Sequence, residues 1–406
     1  MDDAGDVEYE PVSVKEVLSE MKDTAELMID LSYSAVLLGS AEVAEEVLEL
    51  EDRMDVFQMR ARMSLMMAAR SPEDAEELAP VLGVVGATEK ISDATGDIAK
   101  VVLEEIGLPD ALRAALPEAV ETVLRATVAG DSRVAGESLG DLNLETETGI
   151  RIIAIRRGGD WLLSPDQNTV LETGDVVLMR GSEENVAAVY ETVTGDEFVA
   201  PEPVEPGIDD LERAVDSIVL MKNMSELAVD LAYGSVLYGS DALAEEVAEL
   251  EAEVDALESR FEAWVLQAAS RVDDPVALRG LMHLAEATEV ISDAALEIAE
   301  GVLRGMGTHP VVAEAVFESE EVIVRLRVAP DSQLAGTTLG EQMVKTETGM
   351  RVIGVRHTHE AGAEWEISPG PNTKLHAGDV FIAKGTRAGA TRLAELAGDE
   401  SLDDLE

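Results

Sequence analysis

Residues 21–40 read MKDTAELMIDLSYSAVLLGS, and residues 221–240 read MKNMSELAVDLAYGSVLYGS. The same offset of 200 positions relates residues 87–93 to 287–293 and residues 146–149 to 346–349. The offset becomes 204 at Trp161 and Trp365, so the second copy carries four extra residues in the loop between 356 and 365. Self-similarity at a fixed spacing is the signature of an internal repeat. The chain is therefore two copies of one unit.

The first hundred residues of each copy have a helical period. Val14, Leu18, Met21 and Met28 fall three or four positions apart or at multiples of that spacing, which places them on one stripe of a helix. Gly39-Ser40 interrupts this first helix, Ser71-Pro72 has the residue types that begin a helix, and Gly107 precedes a proline as at many helix ends. The pattern predicts three helices in each copy.

The second part of each copy changes to short apolar runs typical of strands. These runs cover 123–128, 151–156 and 176–178 in the first copy, and 322–328, 351–356 and 380–382 in the second. A Gly-Asp pair precedes the last run of each copy and favours a tight turn. The fold class predicted is a multidomain α+β protein, in which two three-helix units (13–107 and 211–307) alternate with two small α+β modules (117–194 and 317–397). Residues 195–210, which contain three prolines, are predicted to link the copies.

The charge of the chain is strongly negative. Its 406 residues include 84 aspartates and glutamates against 30 lysines and arginines, which gives a formal charge of −54. This charge repels a phosphate backbone, so nucleic acid is not an expected partner. High salt screens such self-repulsion, and we interpret the composition as that of a halophile's protein.

Other residue types limit the location and the chemistry. The absence of cysteine excludes disulfides, thiolate metal sites and cysteine nucleophiles. The acidic start is unlike a signal peptide, and no window offers the 18 uncharged apolar residues of a membrane span. We expect a cytoplasmic protein that reaches the inner face of a membrane only through a partner.

The third helix of each copy, residues 87–94 and 287–294, resembles the signature helix of the PhoU domain family, whose bundles carry Glu-x-x-x-Asp motifs. Carboxylates at i and i+4 point the same way from a helix and suit a hard divalent cation. The resemblance implies metal binding by the three motifs of each copy, which are Glu26/Asp30, Glu51/Asp55, Glu89/Asp93, Glu226/Asp230, Glu251/Asp255 and Glu289/Asp293. A hydrated acidic surface is the favoured alternative. The histidine that often follows the third motif in the family is Ala94 and Ala294 here.

The α+β modules resemble the TrkA-C domain, or RCK C-terminal domain, of potassium transport regulators. The resemblance rests on residues 136, 139, 148–149, 152–156, 164–165, 168–169 and 174–176, and on their equivalents in the second copy. It implies that modules pair around a small effector such as a cyclic dinucleotide, and we expect the two modules of one chain to form that pair. The candidate ligand-binding residues are Arg151, Arg156, Asn168, Arg351, Arg356 and Asn372. Pairing of these arginines with local carboxylates is the favoured alternative. No Gly-x-Gly-x-x-Gly motif supports a dinucleotide cofactor.

The histidines all lie in the second copy and lack the partners that catalysis needs. His357 and His359 form a His-x-His pattern that we interpret as a flexible loop rather than a metal site. His283, His309 and His376 are interpreted as isolated structural residues. Because no serine has a recognisable base, we expect no enzyme activity. A run of methionines at positions 59, 63, 66 and 67 is interpreted as core packing, with a partner-facing patch as the alternative.

The resemblances together imply a cytosolic regulatory subunit that controls potassium transport by acting on a membrane channel or transporter subunit. Homo-oligomerisation is compatible with this expectation. The alternative is a PhoU-like metal-binding adaptor in phosphate transport signalling.

Overall fold

A computed structural model of the chain describes most of both copies. The described residues are 13–109, 122–144, 148–158, 160–162, 165, 167–181, 183–198, 208–272, 274–304, 310–318, 322–359, 362–367 and 369–399. Residues 199–207 of the predicted linker, as well as His309, lie outside these ranges.

The two copies have a similar order of elements, and among the described residues the second copy adds the helix α9 (Pro310–Glu318) and a short 3-10 helix, Pro275–Leu278. In the first copy these are α1 (Val14–Leu38), α2 (Ala41–Ala68), α3 (Pro72–Leu103), β1 (Thr122–Thr127), α4 (Leu139–Leu142), β2 (Arg151–Arg157), β3 (Asp160–Leu162), β4 (Val176–Gly181) and α5 (Glu183–Thr194). In the second copy they are α6 (Asp209–Tyr238), α7 (Asp241–Ala269), α8 (Arg279–Leu303), α9 (Pro310–Glu318), β5 (Val322–Arg327), α10 (Val344–Thr348), β6 (Arg351–His359), β7 (Gly362–Ile367), β8 (Val380–Gly385) and α11 (Arg387–Ala397). The predicted alternation of helical units and α+β modules is confirmed.

Local sequence sets the corner between the first two helices of each copy. Gly39 has a φ of 62°, a left-handed conformation that costs glycine little, and it ends α1. Ser40 then accepts a hydrogen bond from the backbone N–H of Val43 and so begins α2. Gly239 and Ser240 repeat both features in the second copy.

Each α+β module contains one four-stranded antiparallel sheet. The strand orders are β1-β4-β2-β3 and β5-β8-β6-β7. The register shifts once in β2, between Ile152 and Ala154, and at the same place in β6, between Val352 and Gly354. The shift is a bulge that changes which face of the sheet the following side chains occupy.

The two helical units pack together around a shared core. Helices α3 and α8 lie against each other, and one continuous cluster of buried apolar residues draws members from both units. Two crossed hydrogen bonds connect the units: Tyr33 Oη lies 2.7 Å from Thr288 Oγ1, and Tyr233 Oη lies 3.1 Å from Thr88 Oγ1. The two halves of the chain are therefore joined through their helices, which the sequence did not indicate.

Each sheet is buried on both faces. In the first module, Val123, Ala154 and Leu178 pack against α1 and α2. The opposite face packs against α5, for example at Val189 and Val193. In the second module, the faces pack likewise on the helical core and on α11.

This packing corrects the expectation that the two modules of one chain pair with each other. Among the described residues, no buried apolar cluster contains strands of both modules. Each module instead uses one face of its sheet to cover its own helical unit, because the alternating apolar residues of the strands match the apolar stripe of the helices. No helix in the described part of the chain is long and apolar enough to cross a membrane.

Candidate functional site

The first module is fastened to its helical unit by ion pairs at the buried face of the sheet. Arg180 at the end of β4 donates a hydrogen bond to Asp30 of α1. Glu46 of α2, whose side chain is only 2% exposed, accepts hydrogen bonds from Arg125 on β1 and from Arg156 on β2. A buried carboxylate is stable only where cations and hydrogen bonds compensate its charge. Glu46 is therefore held by two strands at once.

The second module reaches both helical units. Lys384, the equivalent of Arg180, bonds to Asp230 of α6 and lies 3.5 Å from Glu26 of α1. Glu26 is itself 2.7 Å from Lys22, whose side chain is 2% exposed. A lysine of one copy therefore contacts carboxylates of both copies.

The same region contains two crossed cation–aromatic contacts. The Lys22 ammonium lies 5.4 Å from the centre of the Tyr233 ring, and the Lys222 ammonium lies 5.9 Å from that of Tyr33. Burial raises the pKa of both tyrosines well above the ordinary value, so they remain neutral donors at physiological pH. We name this group the central junction; its members are Lys22, Glu26, Tyr33, Lys222, Glu226, Asp230, Tyr233 and Lys384.

The carboxylates of the first Glu-x-x-x-Asp motif of each copy form ion pairs with lysines and an arginine. Glu26 and Asp230 belong to the central junction, where lysines neutralise them, and Asp30 pairs with Arg180. Glu226 pairs with Lys222 at 2.7 Å. These carboxylates connect helices to sheets, a role that depends on long-range packing and that the sequence spacing does not reveal.

The predicted ligand-binding residues are dispersed. Arg156 pairs with Glu46 and Glu49, which is the alternative that the sequence favoured. Arg151 and Arg351 lie at the opposite end of β2 and β6, in register with Arg180 and Lys384.

The remaining members lie at separate places in the two modules. Asn168 and Asn372 are exposed in turns. Arg356 is partly buried and its charge lies near Arg325. The structure does not bring these residues together within one module.

The second and third motifs of each copy form an acidic cluster between neighbouring helices. In the first copy, Lys100 lies 3.5 Å from Glu51, and Arg62 donates a 3.4 Å hydrogen bond to Glu89. The equivalent positions in the second copy are Glu300 and Glu262, so both cations are replaced by carboxylates. The second cluster consists of Glu251, Asp255, Glu258, Glu289 and Asp293.

Asp55 and Asp93 complete the two motifs of the first copy, and both are exposed to solvent. Burial of the carboxyl group raises the pKa of Asp93, and the charges of Glu89 and then Asp55 raise it further. Asp55 therefore acts on Asp93 through its charge. The ligand role that the family resemblance implies for Asp55 stays a prediction.

Burial and neighbouring carboxylates raise pKa values in the second cluster. Burial raises the pKa of Glu289 to about 7, and the neighbouring charges of Asp293 and Glu258 contribute to that rise. Burial and Asp255 likewise raise the pKa of Asp293, whereas Lys90 of the first copy lowers it. Glu289 is therefore the carboxyl group of this cluster whose pKa is raised to near neutral pH.

Ligand atoms that could share a metal ion lie close together at a different place in the described part of the chain. In the described part of the chain, a single group of three side chains brings its ligand atoms within 4.8 Å of one another, and that group is His357, His376 and Asp379. The role of the Glu-x-x-x-Asp motifs in metal binding stays a prediction.

Two interpretations of the histidines are wrong. His357 lies in β6, because the four extra residues of the second copy lengthen the β6–β7 hairpin instead of forming a loose loop. His376 is not isolated, since it lies 3.5 Å from Asp379.

The methionine run is not core, in contrast to the interpretation of the sequence. Met66 and Met67, in the last turn of α2, are 67% and 61% exposed.

The comparisons with known proteins identify the class to which these parts belong. The model of the TrkA-C domain matches residues 123–194 and 323–398, and the model of the PhoU domain matches residues 18–102 and 218–302. The chain is a tandem protein with two PhoU domains and two TrkA-C domains. Both resemblances inferred from the sequence are confirmed.

Relatives connect the chain to potassium transport proteins. It is 39% identical over 135 residues to "Probable potassium channel protein 2" of Methanocaldococcus jannaschii, a match that covers 31% of this chain and 38% of that protein. It is 34% identical over 56 residues to "Ktr system potassium uptake protein A" of Vibrio alginolyticus, covering 14% of this chain and 26% of that protein. The chain thus spans less than half the length of either relative.

A solved structure of PhoU from Pseudomonas aeruginosa matches 72% of this chain and 96% of its own chain, at 14% identity and a TM-score of 0.40.

Proposed function

We propose that this protein is a cytoplasmic regulatory subunit of a potassium transport system, in which the TrkA-C modules sense a small ligand and the helical units carry the response to a membrane channel or transporter subunit. The observation that carries the proposal is the double match to the TrkA-C domain, made at both modules. The two relatives named for potassium transport support it.

The contacts between modules and helices provide a physical route for regulation. A ligand changes an equilibrium only if it binds one state more tightly than the other. Each sheet shares a core with its helical unit and is tied to it through Arg180–Asp30 or Lys384–Asp230. A shift of the sheet therefore changes both apolar packing and charge pairing in the helices, and the central junction relays it between the copies.

The proposed effector is a phosphate-bearing molecule such as a cyclic dinucleotide, which arginines bind through charge-assisted hydrogen bonds. In the first module Arg125 and Arg156 both bond to Glu46. Their equivalents in the second module, Arg325 and Arg356, lie near each other, and burial and the charge of Arg356 lower the pKa of Arg325.

The effector proposal has a matched test in the two copies. We expect saturable binding of cyclic di-AMP or another cyclic dinucleotide by the whole protein in high salt, measured by calorimetry. Arg156→Ala and Arg356→Ala should each weaken the binding, because each removes a guanidinium that can bond to phosphate. Unchanged binding by both variants would contradict the assignment to these arginines.

The regulatory role is tested by ion fluxes in cells that lack the gene. Rubidium uptake, as a tracer of potassium, should change on deletion and return with the wild-type gene. A double variant Asp30→Asn and Asp230→Asn, which removes both carboxylates that anchor the sheets, should restore uptake only in part. Asp131→Asn, in an exposed turn, serves as the control and should restore it fully.

The second candidate function is a PhoU-like adaptor in phosphate transport signalling. The match of both helical units to the PhoU domain and the acidic cluster of the second copy favour it. Phosphate uptake measured in the same strains separates the two functions. Unchanged rubidium uptake together with altered phosphate uptake would refute the potassium proposal and support the adaptor.

A further inference from the structure

A buried aspartate occupies the same turn in both modules but meets different partners. Asp175 and Asp379 are 1% and 2% exposed, and each accepts a 2.8 Å hydrogen bond from the backbone N–H three residues earlier. A carboxylate at this depth requires a compensating positive charge. Because the turn has the same form in both copies, the side chains around it can be compared directly.

The first module provides a permanent cation. Arg157 donates two hydrogen bonds to Asp175, at 2.8 and 2.7 Å, and a third to Glu172 at 2.8 Å. The guanidinium stays charged at any physiological pH. This site is therefore a closed ion pair with its donors and acceptors matched.

The second module replaces both partners by histidine. His357 stands at the position of Arg157, and His376 stands at that of Glu172. His357 Nδ1 lies 2.8 Å from Asp379 Oδ2, and His376 Nδ1 lies 3.5 Å from the same oxygen. The imidazole rings meet edge to face, with centres 6.0 Å apart. The second copy thus has two imidazoles around this carboxylate where the first copy has an arginine and a glutamate.

A further carboxylate supports His357 from its other side. The second ring nitrogen, Nε2, lies 3.2 Å from Glu366 Oε2, and Glu366 accepts a hydrogen bond from Thr373. Histidines that bind metals characteristically donate their second N–H to a carboxylate, which fixes the ring and raises its basicity. Leu162 occupies the position of Glu366 in the first module, so this carboxylate belongs to the second module alone.

We propose that His357, His376 and Asp379 form a binding site for a divalent transition metal of the zinc type in the second TrkA-C module. Two imidazole nitrogens and a carboxylate oxygen are ligands that such ions prefer, and a three-residue set leaves the fourth position to water or to another ligand. Tetrahedral nitrogen and oxygen ligands lie about 3.4 Å apart, which small rotations reach from the separations present here. Access is from the side of His376, whose side chain is 56% exposed.

The geometry distinguishes this site from the acidic clusters. Those clusters offer only carboxylates, which suit hard cations, whereas nitrogen ligands select softer ions. Metal binding at this site is not part of the proposed regulatory function, and it can be measured without any transport assay.

The test is a metal titration of the full chain. The protein is first freed of metal with a chelator, which is then removed. The titration is made in concentrated KCl, with excess Mg²⁺ to saturate the surface carboxylates. Co²⁺ is the probe, because its visible absorption reports coordination by nitrogen, and Zn²⁺ then displaces it. We expect Co²⁺ to bind saturably, with one ion per chain.

The matched variant is His357→Arg with His376→Glu, which rebuilds the closed ion pair of the first module. It should fold with an unchanged circular dichroism spectrum and thermal midpoint, and lose affinity by more than about 100-fold. His376→Ala, which leaves the buried pair intact, should weaken binding by about tenfold or more. His283→Gln, on the exposed face of α8, should bind like the wild type. The absence of a saturable equivalent, or equal binding by the double variant and the wild type, would overturn the proposal.

Discussion

Replacing Glu289 by glutamine should stabilise the folded protein at pH 8. Glu289 lies among Glu251, Asp255, Glu258 and Asp293, and its pKa is raised to about 7 from the ordinary 4.5. Between pH 4.5 and 7 the folded state holds this proton more tightly than the unfolded chain, so stability falls as pH rises through that window. Above pH 7 the full difference corresponds to about 3 kcal/mol.

The expected gain is smaller than that value because the cluster is partly exposed and solvent screens its charges. We expect Glu289→Gln to raise the free energy of unfolding by about 1–2 kcal/mol at pH 8 and moderate salt. The gain should shrink toward zero as the pH falls to 4.5, and it should also shrink in concentrated KCl. Urea denaturation followed by circular dichroism, with a chelator present, measures it.

The first copy supplies the control. Glu89 is the equivalent residue, but it accepts a hydrogen bond from Arg62, so Glu89→Gln removes an attraction and should lower stability by at most about 0.5 kcal/mol. Equal effects of the two substitutions, or a loss of stability in Glu289→Gln at pH 8, would refute the electrostatic argument. Mn²⁺ that stabilises the wild type and not Glu289→Gln would instead support the metal role predicted for these motifs.

Three further substitutions test the packing, each by the midpoint of urea denaturation. Glu46→Gln weakens the compensation of two arginines and should cost about 3 kcal/mol, whereas Glu246→Gln should cost less, since burial and neighbouring glutamates already raise the pKa of Glu246. Gly280→Ala places a Cβ against the Gly107 carbonyl oxygen, closer than two such atoms can approach, and should destabilise the contact between the copies. Gly86, in α3, has open space around it, so Gly86→Ala should raise the free energy of unfolding by about 0.5–1 kcal/mol. Tyr33→Phe removes a hydrogen bond to a buried threonine and should cost about 1 kcal/mol; no change would mean that this bond does not join the units.

Much of the architecture follows from local pattern. The 200-residue offset, the three- and four-residue period and the Gly-Ser corners predict two copies of a three-helix unit followed by an α+β module, and the structure has that order. The halophile interpretation, the absence of enzyme activity and the cyclic dinucleotide effector stay predictions.

The sequence does not predict the charge pairs that connect distant parts of the fold. Glu26 and Asp30 have the spacing of a metal motif, yet their partners Lys384 and Arg180 lie more than one hundred residues away in the chain. Asp55 has the same spacing from Glu51 and lies on the exposed surface, so one motif serves two different environments.

The two histidines near Asp379 are a second example of contacts that the sequence does not predict. His376 and His357 are separated by a whole hairpin, so their approach to Asp379 has no local signature. A signal did exist for this pair, because aligning the copies shows a histidine in place of Arg157.

The sequence by itself determined the repeat, the helical and strand segments and the two domain families, since each depends on residues close in the chain. Only the tertiary structure decided how the modules are used. Each sheet covers its own helices rather than the other sheet, because the apolar face of the strands and the apolar stripe of the helices bury each other from water. That choice of partner depends on the whole surface of each element, which no single stretch of residues encodes.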